Sequence, residues 1–129
     1  MDILIVDDSV VLRKILERSL RQTQIAIDNV LEAGDGQEAL EKLHAHAVQM
    51  VFSDVNMPNM DGFELLRQIK ATQSLRHVPV VIVTTDGSES TVLQALSLGA
   101  AAYIRRPFTA LQMEAALANV LAENPQAKE

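Results

Sequence analysis

Short runs of consecutive apolar residues recur along this chain, and each is followed by a stretch whose apolar residues return at helical spacing. That alternation admits few folds. A run that is apolar on consecutive residues suits a strand covered on both faces, whereas a strand with one wet face alternates. The runs predict strands over Ile3 to Asp7, Ile25 to Ala33, Met50 to Asp54, Val80 to Thr84 and Ala101 to Ile104. Strand–helix alternation of this kind gives a parallel sheet with helices on both faces. Right-handed crossovers then make the sheet doubly wound, with ligands bound at the carboxyl ends of the strands near the switch point.

The helical segments carry their own punctuation. Ser9 is placed to cap the first, whose apolar residues Val11, Leu12, Ile15, Leu16 and Leu20 are expected to share one buried face. Asp35 with Glu38 and Asp61 with Glu64 have capping-box spacing ahead of the second and third helices. Ser88 or Ser90 opens the fourth, which runs through Val92, Leu93 and Leu96, and Gly99 suits its left-handed stop. Thr109 with Gln112 opens the fifth, carrying Leu111, Ala115, Leu117 and Leu121.

Length and charge limit the function classes. The 129 residues make one domain, expected over 1–122, with a polar tail over 123–129. A net charge of -6 argues against a non-specific nucleic-acid binder. No apolar run approaches the roughly 18 residues that cross a bilayer, and the first residues lack a signal-peptide pattern, so the cytoplasm is the expected compartment. Without cysteine there is no disulfide, thiolate metal site or Cys nucleophile.

The acidic residues stand at the ends of the apolar runs. Asp7 and Asp8 follow Ile3-Leu-Ile-Val6, and Asp54 follows Met50-Val-Phe-Ser53 and precedes a Pro-x-x-Asp-Gly turn ending at Gly62. On a doubly wound sheet these three, with Thr84 and Arg106, fall on one edge. Crowded carboxylates raise one another's pKa unless a cation intervenes, and Mg²⁺ prefers oxygen ligands. Asp54 could then attack a phosphoryl donor as nucleophile, with Thr84 and Arg106 contacting phosphoryl oxygens. Each residue also has a plainer reading: a helix cap for Asp7 and Asp8, a turn residue for Asp54, a β-branched strand residue for Thr84, a solvated side chain for Arg106. Convergence on a single edge favours the chemical reading. His44, His46 and His77 read as surface residues, and no phosphate-binding glycine loop occurs.

Val6-Asp7-Asp8-Ser9, Ser53-Asp54-Val-Asn56-Met-Pro58-Asn-Met-Asp-Gly62, Val83-Thr84 and Tyr103-x-x-Arg106-Pro107-Phe108 together resemble the receiver domains of two-component response regulators, single-domain chemotaxis regulators in particular. The resemblance runs from Ile3 to about Leu121 and implies a flavodoxin-like strand order 2-1-3-4-5. It implies Asp54 as phosphoacceptor from a histidine kinase, and Mg²⁺ held by Asp8, by Asp7 through water, by Asp54 and by the Asn56 carbonyl. Thr84 and Tyr103 would couple phosphorylation to the surface of the fourth helix, fifth strand and fifth helix, where a downstream protein docks. Asn56 and Asp86 occupy positions that tune hydrolysis of the acyl phosphate, and the Arg106–Pro107 bond would be cis.

Two positions depart from the family pattern. Arg106 stands where the family has Lys, and its planar fork either grips a phosphoryl oxygen or uncouples phosphorylation from switching. Thr85 stands where a small residue is usual and would narrow donor access. The expected function is a phosphorylation-activated signalling switch acting through protein contacts, not an enzyme with a separate substrate. The alternatives are a phosphorylation-independent interaction module, which Arg106 alone supports, and an aspartyl-phosphate phosphohydrolase. The latter is disfavoured by Asp54-Val-Asn56 in place of Asp-x-Asp, and by the lack of residues for a substrate cap.

Overall fold

The computed structural model describes residues 1–124. Strands and helices alternate throughout: β1 (Asp2–Val6), α1 (Val10–Arg21), β2 (Asn29–Ala33), α2 (Gly36–Ala45), β3 (Met50–Ser53), α3 (Gly62–Ala71), β4 (Val80–Thr84), α4 (Glu89–Ser97), β5 (Ala102–Arg105) and α5 (Ala110–Glu123). The strands form one parallel sheet in the order β2-β1-β3-β4-β5. The chain therefore reverses its winding between β1 and β3, and the crevice of the switch point opens above their carboxyl ends.

Consecutive apolar residues divide between two cores because neighbouring strand residues face opposite ways. Leu4, Val6, Val51, Val80 and Ile82 face α2, α3 and α4, packing with Leu43, Leu65, Leu66, Ile69 and Ala95. Ile3, Ile5, Phe52, Val81 and Val83 face α1 and α5, packing with Leu16, Leu20, Met113 and Leu117. Burying each such side chain contributes roughly 2 kcal/mol. A shift of one strand by one residue would exchange its two faces, so the cores also fix register.

Caps close the helix starts. Ser9, Asp35, Asp61, Ser88 and Thr109 each accept the backbone N–H three residues on. Among the described residues, only Thr109 with Gln112 completes the reciprocal capping box. The Glu38 carboxylate instead takes the Gly34 N–H, and Glu64 turns to Arg67 and Gln68 along its own helix. Gly99 has φ +99°, the left-handed stop after α4.

Three expectations need correction. β2 begins at Asn29 rather than Ile25, because Asn29 pairs with Asp2, where β1 itself begins. The Met1 ammonium binds the Ala26 carbonyl and the Asp28 carboxylate just before it. The apolar residues of α1 do not share one buried face: Leu16 and Leu20 are buried, but Val11 is 67% and Ile15 54% exposed, and Leu12 is also exposed. The helix is turned so that Arg13 and Glu17, half-buried, lie beside Leu16 and Leu20 on its inward side. The ion pair from Arg13 to Glu32 of β2 and its bond to the Asp7 carbonyl hold that rotation. Finally, α5 extends through Glu123 with Asn124 as its C-cap, so the expected tail is helical at its start; residues 125–129 lie outside the described residues.

Candidate functional site

Backbone pairing runs past the strand ends and delivers the site residues to one edge. The Asp7 N–H donates to the Ala33 carbonyl at 3.0 Å and the Asp54 N–H to the Val6 carbonyl at 3.0 Å. The Arg106 N–H donates to the Thr84 carbonyl at 2.8 Å. Asp7, Asp54, Thr84 and Arg106 thus crown β1, β3, β4 and β5, as the strand-end reading expects. The Arg106–Pro107 bond is cis, the isomer the resemblance implies.

Asp7, Asp8 and Asp54 each offer a carboxylate oxygen within 4.8 Å of the others. Their environments differ. Asp7 is 1% exposed; its Oδ1 accepts the Ser9 N–H at 2.9 Å and its Oδ2 accepts Arg106 Nη2 at 2.7 Å. Asp8 is exposed, and Asp54 is half-buried with its Oδ1 on the Val55 N–H at 2.8 Å. Burial pushes the Asp54 carboxyl above the usual aspartate range and the Asp7 charge adds to this, while the Val55 amide, Arg106 and the Thr84 hydroxyl pull the other way. A graded set of hard oxygen donors, with negative charge that one guanidinium cannot offset, fits Mg²⁺ or a similar divalent cation.

The loop after β3 is held by the turn that carries Gly62. Its N–H donates to the Val55 carbonyl at 2.8 Å. A Cβ at Gly62 would lie 2.0 Å from the Asp54 carbonyl oxygen, so no other residue fits without moving the backbone of Asp54 itself. Asn59, at φ 64°, donates to Asp35 at 2.8 Å and ties this loop to the start of α2. Asn56 is exposed on the same loop.

Thr84 is buried at the end of β4, its Oγ1 accepting the Asp86 N–H at 3.3 Å. Thr85 is exposed beside it. Asp86 is drawn toward α4: its Oδ1 accepts the Ser88 N–H and its Oδ2 the Thr91 hydroxyl, and these bonds hold its pKa low. Tyr103 of β5 packs against the core beneath α4, and among the described residues its hydroxyl is a buried polar group with no hydrogen-bond partner. Burial raises the pKa of this phenol.

Sequence reasoning did not single out Arg13, which reaches the site from α1. Its Nη1 donates to the Asp7 carbonyl at 2.6 Å and its Nε to Glu32 at 2.9 Å. The available signal was an arginine in register with Leu16 and Leu20, a charge on an inward helix stripe. Leu93, Leu96 and Leu111 of α4 and α5 are exposed, although their spacing resembles that of core residues. Among the described residues no helix is long and apolar enough to cross a membrane.

Comparison with known proteins gives consistent matches. Residues 3–118 match the response regulator receiver domain. The chain is 37% identical over 125 residues to chemotaxis protein CheY1 of Helicobacter pylori, covering 96% of this chain and 99% of that one. It is 39% identical over 110 residues to chemotaxis protein CheY of Pseudomonas aeruginosa, covering 85% and 87%. Among solved structures, Vibrio cholerae chemotaxis protein CheY4 superposes with a TM-score of 0.80 at 31% identity, covering 93% of this chain and 98% of that one. A response regulator from Chloroflexus aurantiacus reaches 0.85 at 27% identity, covering 94% and 97%.

Proposed function

This chain belongs to the response regulator receiver domain family, and from that premise we propose that it is a switch phosphorylated on Asp54 by a histidine kinase in a Mg²⁺-dependent reaction. The observation that carries the reading is the convergence of Asp7, Asp8 and Asp54 within 4.8 Å at the switch-point edge. In the transfer, a carboxylate oxygen of Asp54 attacks the phosphorus of the phosphohistidine. The P–O bond forms as the P–N bond breaks, and the imidazole leaves with the electron pair. A divalent cation on Asp7, Asp8, Asp54 and the Asn56 carbonyl would supply charge neutralisation for the incoming phosphoryl group.

Thr84 has the hydroxyl to bond one phosphoryl oxygen, and Arg106 the guanidinium to pair with another. Inward movement of Thr84 would draw on Tyr103, whose unpartnered hydroxyl leaves it free to exchange positions, and the α4–β5–α5 surface would follow. That surface carries exposed Leu93, Leu96 and Leu111 and a cleft of about 330 Å³ lined by Tyr103, Phe108 and Gln112, suited to an apolar segment of a downstream protein. The relatives' names make a chemotaxis target the leading choice. Asn56 and Asp86, both polar, set the lifetime of the acyl phosphate in this reading.

A second reading has one observation in its favour. Arg106 is held on Asp7 at 2.7 Å, and a guanidinium that stayed there would leave phosphorylation uncoupled from the surface. The module would then bind its partner with or without phosphate.

Intact mass after incubation with acetyl phosphate and Mg²⁺ tests the first reading. One phosphoryl adduct is expected, absent from Asp54→Ala and from the chelated control. An adduct that persists in Asp54→Ala would overturn the site. An adduct that leaves partner affinity unchanged would favour the second reading.

A further inference from the structure

The cation ligands that the receiver reading assigns are not held alike. Asp7 and Asp54 are fixed by ladder bonds to Ala33 and Val6. Asn56 lies beyond the end of β3, exposed on the loop that runs to α3 at Gly62. The Gly62 N–H closes the base of that loop on the Val55 carbonyl at 2.8 Å. The tip of the loop is held from outside, by the start of α2.

Two consecutive residues there grip two consecutive residues of the loop. Asp35 Oδ2 accepts Asn59 Nδ2 at 2.8 Å, and the Gly36 N–H donates to the Met60 carbonyl at 3.0 Å. The Met60 side chain lies so close over Gly36 that a Cβ on the glycine would be 2.7 Å from Met60 Cγ. Asn59 reaches Asp35 from the left-handed region, at φ 64°, which asparagine tolerates better than most residues. Asp35 Oδ1 meanwhile accepts the Glu38 N–H at 2.8 Å as the cap of α2. The Glu38 amide and the Asn59 side chain hold this carboxyl below the usual aspartate range, so both oxygens remain acceptors at neutral pH.

We propose that Asp35 is a positioning residue for the Asp54 loop: through Asn59 it sets where the Asn56 carbonyl stands, and so how tightly the divalent cation is held. The inference rests on the receiver reading for the cation site alone. A main-chain ligand has no rotamer of its own, and only the path of its loop places it. Mg²⁺ demands near-ideal octahedral geometry. A loop free to drift offers its carbonyl in the required place for only part of the time, and the apparent affinity falls by that fraction. Contacts outside the ligand set tune metal affinity in this way without touching the ion.

The test is calorimetric titration of chelator-treated protein with MgCl₂, comparing the wild type with Asp35→Ser, Asn59→Gly and the double variant. Serine still caps α2 but has no second oxygen for Asn59. Glycine keeps the positive φ and removes the amide without changing any charge. Each single variant is expected to bind Mg²⁺ about fivefold more weakly, the low end of coupling between linked sites, because the Gly36–Met60 bond remains. The double variant should bind no more weakly than either single one, since all three lack the same bond. Wild-type affinity in Asn59→Gly, with only a loss of stability in urea unfolding, would make the bond merely structural and overturn the proposal. A further loss on adding Asp35→Ser to Asn59→Gly would also overturn it, since the Asp35 charge would then act on the cation directly. In either case Mg²⁺ binding that Asp8→Asn abolishes leaves the receiver reading standing. No Mg²⁺ binding by the wild type would overturn that reading and the inference with it. Should Asp35→Ser fail to fold, Asn59→Gly decides alone.

Discussion

Replacing Tyr103 by Phe is expected to stabilise the metal-free protein, against the usual direction for a buried tyrosine. The hydroxyl is buried without a hydrogen-bond partner, while the ring packs against the core beneath α4 and its residue stands opposite Ile82 in the β4–β5 register. A buried polar group left unbonded costs about 1–3 kcal/mol, whereas losing a satisfied hydrogen bond costs about 0.5–1.5 kcal/mol. The two cases differ in sign. Phenylalanine keeps the ring contacts and removes the desolvated oxygen, so a gain of about 1 kcal/mol or more follows. For a chain of this length that raises Tm by roughly 3–5 °C per kcal/mol. Thermal and urea unfolding followed by circular dichroism, in EDTA at pH 7, would measure it. A Tyr103→Phe protein that is less stable than wild type would refute the reasoning, since it would mean the hydroxyl is bonded in solution. In the proposed switch, the same uncompensated group would weigh against the buried position of the ring.

Other substitutions probe the site's construction. Gly62→Ala places a Cβ 2.0 Å from the Asp54 carbonyl oxygen, a backbone atom that cannot step aside; a loss of more than about 2 kcal/mol is expected in urea unfolding. Asp54→Asn should stabilise the chelated protein at pH 7, because burial raises the native pKa of this carboxyl and its ionised form is the disfavoured one. That advantage is complete above the raised native pKa and absent below the unfolded value of about 3.9, so unfolding curves at two pH values give its sign. Glu32 shows the opposite linkage: its hydrogen bond to Lys14, aided by Arg13, lowers its pKa against the effect of burial. Glu32→Gln should cost about 1 kcal/mol or less at pH 7, and the difference from wild type should disappear as pH falls through the depressed native value.

The layers were legible because buried strands of a parallel sheet must be apolar on both faces, whereas the strand order followed from the resemblance to receiver domains. Val80 to Thr84 shows the rule in pure form: every residue is buried, and the strand has the bounds its apolar run predicts. The acidic edge was legible for a related reason, since Asp7 and Asp54 end such runs and pairing with Ala33 and Val6 carries them onto the rim. What the sequence did not disclose depends on contacts between distant segments. The rotation of α1 is set by Arg13 reaching Glu32 and Asp7, which no periodicity within the helix encodes. The start of β2 depends on where β1 begins, and Ile25 and Ile27, apolar though they are, precede the pairing and pack beside α1 and α5. The partner of Arg106 was similarly hidden. Its position relative to Pro107 and Phe108 marks it as a site residue, but the choice of Asp7 over Asp54 is a matter of three-dimensional reach.

The claim that phosphate on Asp54 reshapes a distant surface can be met in one experiment. Beryllofluoride with Mg²⁺ mimics the aspartyl phosphate, and amide chemical shifts recorded before and after its addition report where the structure responds. Shifts are expected beyond the Asp54 loops, at Thr84 and Tyr103 and along the exposed face of α4 and α5 that includes Leu93, Leu96 and Leu111. Shifts confined to Asp7, Asp8, Asp54 and their immediate neighbours would contradict a phosphorylation-driven switch and leave a site that accepts phosphate without transmitting it.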